Sequence, residues 1–293
     1  MIQKLKLLFQ LLITGQWSEF SERVISKITG RQYIQKHEFP TFLALARIVS
    51  LTGKSGTYVV DVGCSNGLFL RALSRFVKIL DAIGYEPLPD GWPELRLGSL
   101  ASRCRIRNVA VGATTGEIEL FQTVHPGLSS ALPLEPTYHY YSGNQDQVTA
   151  SRKVEIVTLD DEFVELPNWP TVLKIDTQGY EMEVLRGAER LLASGRIAAI
   201  VLEVSVRLKY QNQPLIEEII TSLRGYGYQI YQMSPGYVES TGQVSEYDIV
   251  FCHEGFLEQA GNPNSIGDKE VRDKPPNGVS STLTSTPSRS STP

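Results

Sequence analysis

The 293-residue chain is long for one average domain but suits a single α/β domain with extensions, and its 41% hydrophobic content can fill a sizeable core. A formal net charge of −4 with no dense Lys/Arg block argues against a nucleic-acid partner; Arg96, Arg103, Arg105 and Arg107 read as one solvated face. Three widely spaced cysteines, Cys64, Cys104 and Cys252, fit a reducing, cytoplasmic setting and match no metal-ligand spacing.

The chain opens on MIQKLKLLFQLLI, two lysines and a short apolar patch interrupted by Gln10. The patch is too short to span a bilayer and has no small-residue cleavage site after it. It reads as an amphipathic helix that docks on the domain, on a dimer partner or on a membrane surface, with the first as the ordinary fate of such a face. Residues 1–50 are therefore expected to form a helical extension and 51–258 the main domain. Residues 259–293 end in SSTLTSTPSRSSTP and are expected to be a disordered Ser/Thr/Pro tail, too polar to offset the entropy of ordering.

Between these ends strands and helices alternate. Strands are predicted at 57–63 and 80–86 with a helix at 66–77 between them, then a helix over 92–100 and a strand at 105–111. A segment at 116–122 is expected to pair beside that third strand. A loop rich in Pro, Tyr, Ser and Gly runs over 125–150, too long for a plain connection. A strand at 154–157 and a short helix in DDEFVEL come next. Strands at 171–176 and 197–204 flank a helix over 180–193. A helix over 216–226 precedes two final strands, 228–232 and 247–252, which suit an antiparallel edge hairpin turning at Pro235–Gly236. Near-continuous apolar strands mean a mostly parallel sheet with helices on both faces.

The chemistry concentrates in YVVDVGCSNGLFLRAL and IGYEP. Each apolar run ends in an acid, Asp61 or Glu86, and the first gives way to a glycine turn that opens a helix. This is a strand–turn–helix–strand unit with a nucleoside crevice at the strands' carboxyl ends. GCSNG has the form GxxxG and lacks the GxGxxG triplet that lets a helix N-terminus cradle a pyrophosphate. Cys64, Ser65 and Asn66 stand there instead. A cofactor with a ribose and an amino-acid tail but no phosphate suits this loop, and S-adenosylmethionine is such a molecule. Glu86 would accept hydrogen bonds from both ribose hydroxyls. Asp61 would hold the loop and favour the cofactor's cationic end.

Downstream, NVAVGATTGEIELF, VTLDDEF, VLKIDTQGYEMEVLRGAERLL and IVLEV follow in order. The set resembles the FkbM family of S-adenosylmethionine-dependent methyltransferases over about 59–252. The resemblance implies a class I methyltransferase fold, Rossmann-like, with a seven-stranded sheet and a reversed last strand. It implies O-methylation of a sugar, glycan precursor or related metabolite. It also implies cofactor contacts at Asp61, Gly63, Ser65, Asn66, Gly67 and Glu86, with Cys64 and Pro87 inside the same two motifs. Asn108 or Ala110 would sit beside the cofactor, and Asp176 in the active site. The family often has Glu in the position of Gln178, so a role needing that charge is in doubt here.

A hydroxyl acceptor needs a group to take its proton. Asp176 serves either as that base or acceptor contact, or as a helix cap. Glu181 points inward or complements the helix dipole. Lys174, two residues before Asp176, shares its face and either works in the site or forms a buried salt bridge. Ser130 in the SSA at 129–131 is a weaker candidate, and His125 and the cluster around His139 could wall an acceptor site. Glu203 could join Asp176 around a divalent metal, though no ligand cluster compels one. The rival readings are a non-catalytic binding module of this fold and a nicotinamide-dependent oxidoreductase.

Overall fold

The computed structural model describes residues 38–88, 97–136, 146–239 and 241–261. In chain order the elements are α1 (Phe39–Leu51), β1 (Thr57–Val62), α2 (Leu68–Leu73), β2 (Ile79–Tyr85), β3 (Cys104–Arg107), β4 (Ala110–Val111), β5 (Gly116–Thr123) and β6 (Val148–Val157). There follow α3 (Leu159–Glu162), β7 (Thr171–Ile175), α4 (Glu181–Arg186), α5 (Glu189–Ala193), β8 (Ile197–Ser205), α6 (Ile216–Gly225), β9 (Tyr228–Pro235), β10 (Glu246–His253) and α7 (Glu254–Gly261).

Every residue of β1 and of β7 is buried, as a strand covered on both faces requires. They lie at the centre of a seven-stranded sheet ordered β3-β2-β1-β7-β8-β10-β9. All neighbours are parallel up to β8, and β10 runs antiparallel to both β8 and β9. Side chains alternate across the sheet. Tyr58, Val60 and Val62 of β1 pack toward Val184, Leu185, Leu191 and Leu223 of the helices on one face. Val59 points the other way, into a cluster with Leu45 and Ile48 of α1 and Leu70 and Leu73 of α2. Phe42 of α1 stacks on Phe76 with ring centroids 5.5 Å apart, so α1 is docked on the sheet's own core. The apolar patch of residues 1–13 and the tail beyond 261 lie outside the described residues.

The chain leaves β1 toward β2 and β3 on one side, then returns through β7 to build the other. The loops after β1 and β7 therefore diverge and open a crevice at the switch point.

Several local expectations are corrected. The segment at 116–122 does not pair beside the third strand. As β5 it joins β6 antiparallel, in a separate three-stranded sheet ordered β4-β6-β5. The expected third strand is interrupted at Asn108 and Val109, leaving β3 on the main sheet and β4 on the small one. Strand β6 begins at Val148 rather than 154, because β5 supplies it with a partner over eight residues. The helix over 66–77 is only Leu68–Leu73, started by Gly67 in the left-handed region. Of the helix expected over 92–100, residues 92–96 lie outside the described residues and Gly98–Leu100 is a single tight turn. The helix over 180–193 breaks at Gly187 into α4 and α5. The edge hairpin β9–β10 exists, but its connection spans 236–245 rather than a tight turn.

The break at Gly187 has a packing cause. A Cβ there would overlap the carbonyl of Gly112, just after β4, so two glycines let the small sheet approach the main domain. Gly187→Ala is expected to cost about 1–3 kcal/mol through overpacking. Gly225→Ala, where a Cβ meets nothing within 4 Å, should be neutral or slightly stabilising. Urea denaturation of both variants checks the contrast.

Candidate functional site

Two cavities open at the carboxyl ends of the central strands. The first, about 430 Å³, lies between the main sheet and the small one and is lined by Gly63, Ser65, Glu86, Pro87, Leu88, Ala110, Leu120, Gln122, Ser130, Asp176 and Gln178 among others. The second, about 330 Å³, is lined by Glu38, Thr41, Gly63, Cys64, Ser65, Asn66, Lys174, Asp176, Glu203 and Asp248 among others. They share Gly63, Ser65 and Asp176.

The turn after β1 is built from left-handed residues, with Gly63 at φ 71°, Ser65 at 51° and Gly67 at 77°. Gly63 tolerates no side chain, since a Cβ would fall on the Asp176 carbonyl. Most of the turn's amides have protein acceptors. Gly63 N and Cys64 N both donate to the Tyr85 carbonyl at 3.0 Å, and Gly67 N to the Cys64 carbonyl at 2.8 Å. Ser65 N donates to Glu86 Oε2 at 2.9 Å and Leu68 N to Asn66 Oδ1 at 3.2 Å.

Glu86 is the hinge of this arrangement. Its other oxygen, Oε1, accepts from Leu88 N at 3.0 Å. Burial pushes its pKa up, and the Leu88 and Ser65 amides oppose that shift. Each carboxylate oxygen keeps acceptor capacity toward the first cavity. Asn108 does not line either cavity; its Nδ2 donates to the Glu86 carbonyl at 3.2 Å and so fixes the strand end. Cys64 turns its thiol toward Gly84, and burial pushes that thiol up.

Asp61, expected to hold the loop and favour the cofactor's cationic end, lines neither cavity. It is fully buried on the face opposite Val60 and Val62, in register with Lys174 of β7. Lys174 Nζ lies 3.2 Å from Asp61 Oδ1 and 3.4 Å from Asp176 Oδ2, and donates to the Gly63 carbonyl at 2.6 Å. Burial by itself would lower the lysine's pKa, but Asp61 and Asp176 hold it above its ordinary value. The shared face expected for Lys174 and Asp176 thus carries a buried salt bridge with a third member.

Asp176 lines both cavities. Burial would raise its pKa, but Lys174, the Gln178 amide and Lys209 hold the carboxyl below its usual range. It is an ionised group that orients and attracts, and a weak proton acceptor on its own. Glu181 also lies outside both cavities. Its Oε1 accepts from Thr177 N and Gly179 N, each at 3.0 Å, so it is an anchor for the loop after β7. Ser130 lines the first cavity and donates to the Gln178 carbonyl at 2.6 Å. His125 precedes the turn Pro126–Leu128; His139 and the tyrosines around it lie outside the described residues.

Sequence reasoning missed the node at Gln178, which adopts a left-handed φ of 55°. Its Nε2 donates to Asp176 Oδ1 at 2.8 Å and to Glu203 Oε2 at 3.1 Å. Its Oε1 accepts from Lys209 Nζ at 3.0 Å and from the Tyr210 hydroxyl at 3.1 Å. Lys209 is in turn ion-paired with Glu246. An amide, with donors at one end and an acceptor at the other, satisfies all four partners, which a carboxylate could not. The signal available was the Gln178–Gly179 pair following a strand-ending acid. Among the described residues no group of three or more His, Cys, Asp or Glu side chains is arranged to hold a metal.

A doubly wound sheet with one reversed strand, opening on a strand-ending glutamate and a glycine turn, defines a class I methyltransferase fold. The chain matches the Methyltransferase FkbM domain over residues 61–230, and it belongs to that family. No curated relative matches it. Among solved structures it is similar to the precorrin-6y C5,15-methyltransferase of Geobacter metallireducens, at 13% identity over 71% of this chain and 85% of that one, TM-score 0.35. It is also similar to M. capricolum TrmK in complex with S-adenosyl-homocysteine, at 10% identity over 71% and 67%, TM-score 0.36. The third is the N,N-8-amino-8-demethyl-D-riboflavin dimethyltransferase of Streptomyces davawensis, at 12% identity over 84% and 61%, TM-score 0.35. The family match, not these distant superpositions, carries the assignment.

The buried triad makes a stability test. Lys174→Met leaves Asp61 without its cation and is expected to cost about 3–5 kcal/mol. Adding Asp61→Asn should recover part of that loss, because the uncompensated charge is then gone. Urea unfolding of wild type, single and double variants measures both.

Proposed function

We propose that the chain transfers a methyl group from S-adenosylmethionine to a hydroxyl of a small-molecule or glycan acceptor. The observation that supports the cofactor most is the state of the turn after β1. A pyrophosphate needs free loop amides, and here Gly63, Cys64, Ser65, Gly67 and Leu68 N–H groups already have protein acceptors. What the turn offers is the Glu86 carboxylate, held by two amides and facing the first cavity. That suits a ribose without phosphates.

In this reading Glu86 binds the ribose hydroxyls, and Pro87, Leu88 and Ala110 provide the wall for the base. Methyl transfer from a sulfonium is chemistry supplied by the cofactor when bound. The protein's part is alignment, which is worth up to about 7–11 kcal/mol of barrier. Asp176, at the junction of the two cavities, orients the acceptor and passes the proton its hydroxyl loses on methylation to solvent, while Lys174 and Gln178 keep its carboxylate ionised and fixed. Gly63 permits the close approach of the turn to the end of β7. Glu181 and Asn108 act behind these groups as supports for the loops.

Calorimetric titration of the full chain with S-adenosylhomocysteine, S-adenosylmethionine and NAD tests the cofactor. The first two are expected to bind and NAD not to; preferential NAD binding overturns the proposal. Glu86→Gln should weaken S-adenosylhomocysteine binding by about 10–100-fold, the scale of a charge-assisted pair of hydrogen bonds. Mass spectrometry of acceptor panels that include sugars, hydroxylated metabolites and RNA reads the acceptor. Cofactor binding with no methylated product from any panel would favour a binding module.

A further inference from the structure

Beside the turn residues Cys64, Ser65 and Asn66, the second cavity is lined by carboxylates of β8, β10 and the start of α1 for which the ribose and base contacts above have no use. Asp248 of β10 and Glu203 of β8 are directly opposite each other in the antiparallel register, and both line the cavity with Asp176 and Glu38. Like charges at opposed positions destabilise a sheet. Burial, Glu246 and Asp176 push the Glu203 carboxyl well up, and Gln178 Nε2 already donates to it at 3.1 Å, so Asp248 is the member of the pair left without a compensating group. Lys174 is the one basic side chain lining the cavity among the described residues, and it is committed to Asp61, Asp176 and the Gly63 carbonyl. Among the described residues, no ion pair or side-chain hydrogen bond reaches the Asp248 carboxylate.

A second feature points to a ligand independently. Thr41 of α1 lines the same cavity, is 4% exposed, and its Oγ1 has no hydrogen-bond partner. A buried hydroxyl left unpaired costs about 1–3 kcal/mol. Its hydroxyl can donate or accept, and in a cavity lined by four carboxylates a ligand group that donates in several directions satisfies both the hydroxyl and a carboxylate. An ammonium does that; a neutral hydroxyl supplies only one donor and a carboxylate ligand none.

We propose that the second cavity is an acceptor subsite for a primary ammonium, paired with Asp248 and hydrogen-bonded to Thr41, so that the acceptor is an amino-bearing hydroxyl compound such as an amino sugar or amino alcohol. This rests on the methyltransferase reading above. The Asp248 carboxyl is pushed up to about 7, first by burial and then by Asp176, Glu38 and Glu246, with Lys174 opposing. Glu203 stands across from it on β8 and Ser234 on β9. A cation would reverse that shift, and amine affinity should therefore fall as pH drops through 7 and Asp248 takes up a proton.

The test uses the full chain saturated with S-adenosylhomocysteine and saturation-transfer NMR. The probes are glucosamine and ethanolamine against their uncharged counterparts glucose and ethylene glycol. The amines are expected to bind more tightly than the counterparts, by tenfold or more, and to lose that preference in Asp248→Asn. Thr41→Val, nearly isosteric, should weaken amine binding several-fold while S-adenosylhomocysteine affinity holds. Equal binding of charged and uncharged probes overturns the proposal, as does an amine preference that survives Asp248→Asn. Amine binding only without S-adenosylhomocysteine also overturns it, since the cofactor's own ammonium would then fill the cavity. Failure of S-adenosylhomocysteine to bind at all would instead strike the methyltransferase reading.

Discussion

The site depends on one buried ammonium. Lys174 sits at the end of a central strand with its charge shared among Asp61, Asp176 and the Gly63 carbonyl. Burying an ion costs several kcal/mol unless its partners are close and complete, and here they come from the ends of two adjacent strands and the turn between strand and helix. That one group fixes the distance between β1 and β7 where their loops diverge. It also sets the direction of the Asp176 carboxylate and holds the Gly63 turn against it. Asp61 therefore acts on the crevice at one remove: it keeps the lysine charged, and the lysine shapes the surface that a ligand meets.

A second node, Gln178, passes the same constraint outward. The neutral amide stands between Asp176 and Glu203 on one side and Lys209 and Tyr210 on the other. Its backbone carbonyl receives Ser130, which lies between β5 and β6 of the small sheet and bridges back to Phe121 of β5. The left-handed conformation at Gln178 is a strain that four side-chain hydrogen bonds and one carbonyl contact can over-determine. Both cavities, the small sheet and the buried pair Lys209–Glu246 are thereby referenced to one side chain. A glutamate there would put a third carboxylate beside Asp176 and Glu203 and lose the donor that joins them.

The central strands were legible because burial on both faces imposes a continuous apolar run, and TYVVDV and TVLKI obey it. Glu86 was legible as an acid ending the second strand, and it lines the first cavity while also holding the Ser65 and Leu88 amides. The role of Asp61 was within reach but needed pairing. Alternation puts it on one face of β1, yet only the register Asp61↔Lys174 shows which charge it meets. The small sheet was not legible, since β5 and β6 are partners across the long 125–150 loop and neither is apolar enough to declare itself. The broken helix at Gly187 was hidden for a similar reason. Its glycine answers a backbone far away in sequence, at Gly112, and local periodicity carries no trace of that contact.

The glycine turn illustrates how a shared scaffold is turned to a different ligand. In a phosphate-binding turn the backbone N–H groups point outward and stay unsatisfied until the anion arrives. In this turn, two N–H groups fold back onto the Tyr85 carbonyl and a third onto the Glu86 carboxylate. Much of the positive potential that would attract a phosphate is used internally, and the Glu86 carboxylate lines the cavity beside it. The sign of the surface presented to the ligand is reversed from anion-seeking to hydroxyl- and cation-seeking. The second cavity extends the same sign, with Asp176, Glu203 and Asp248 facing one committed lysine. Selectivity along the crevice then follows from electrostatics before any shape is considered. Carboxylates so placed match ligand groups that bring hydroxyl donors or a positive centre.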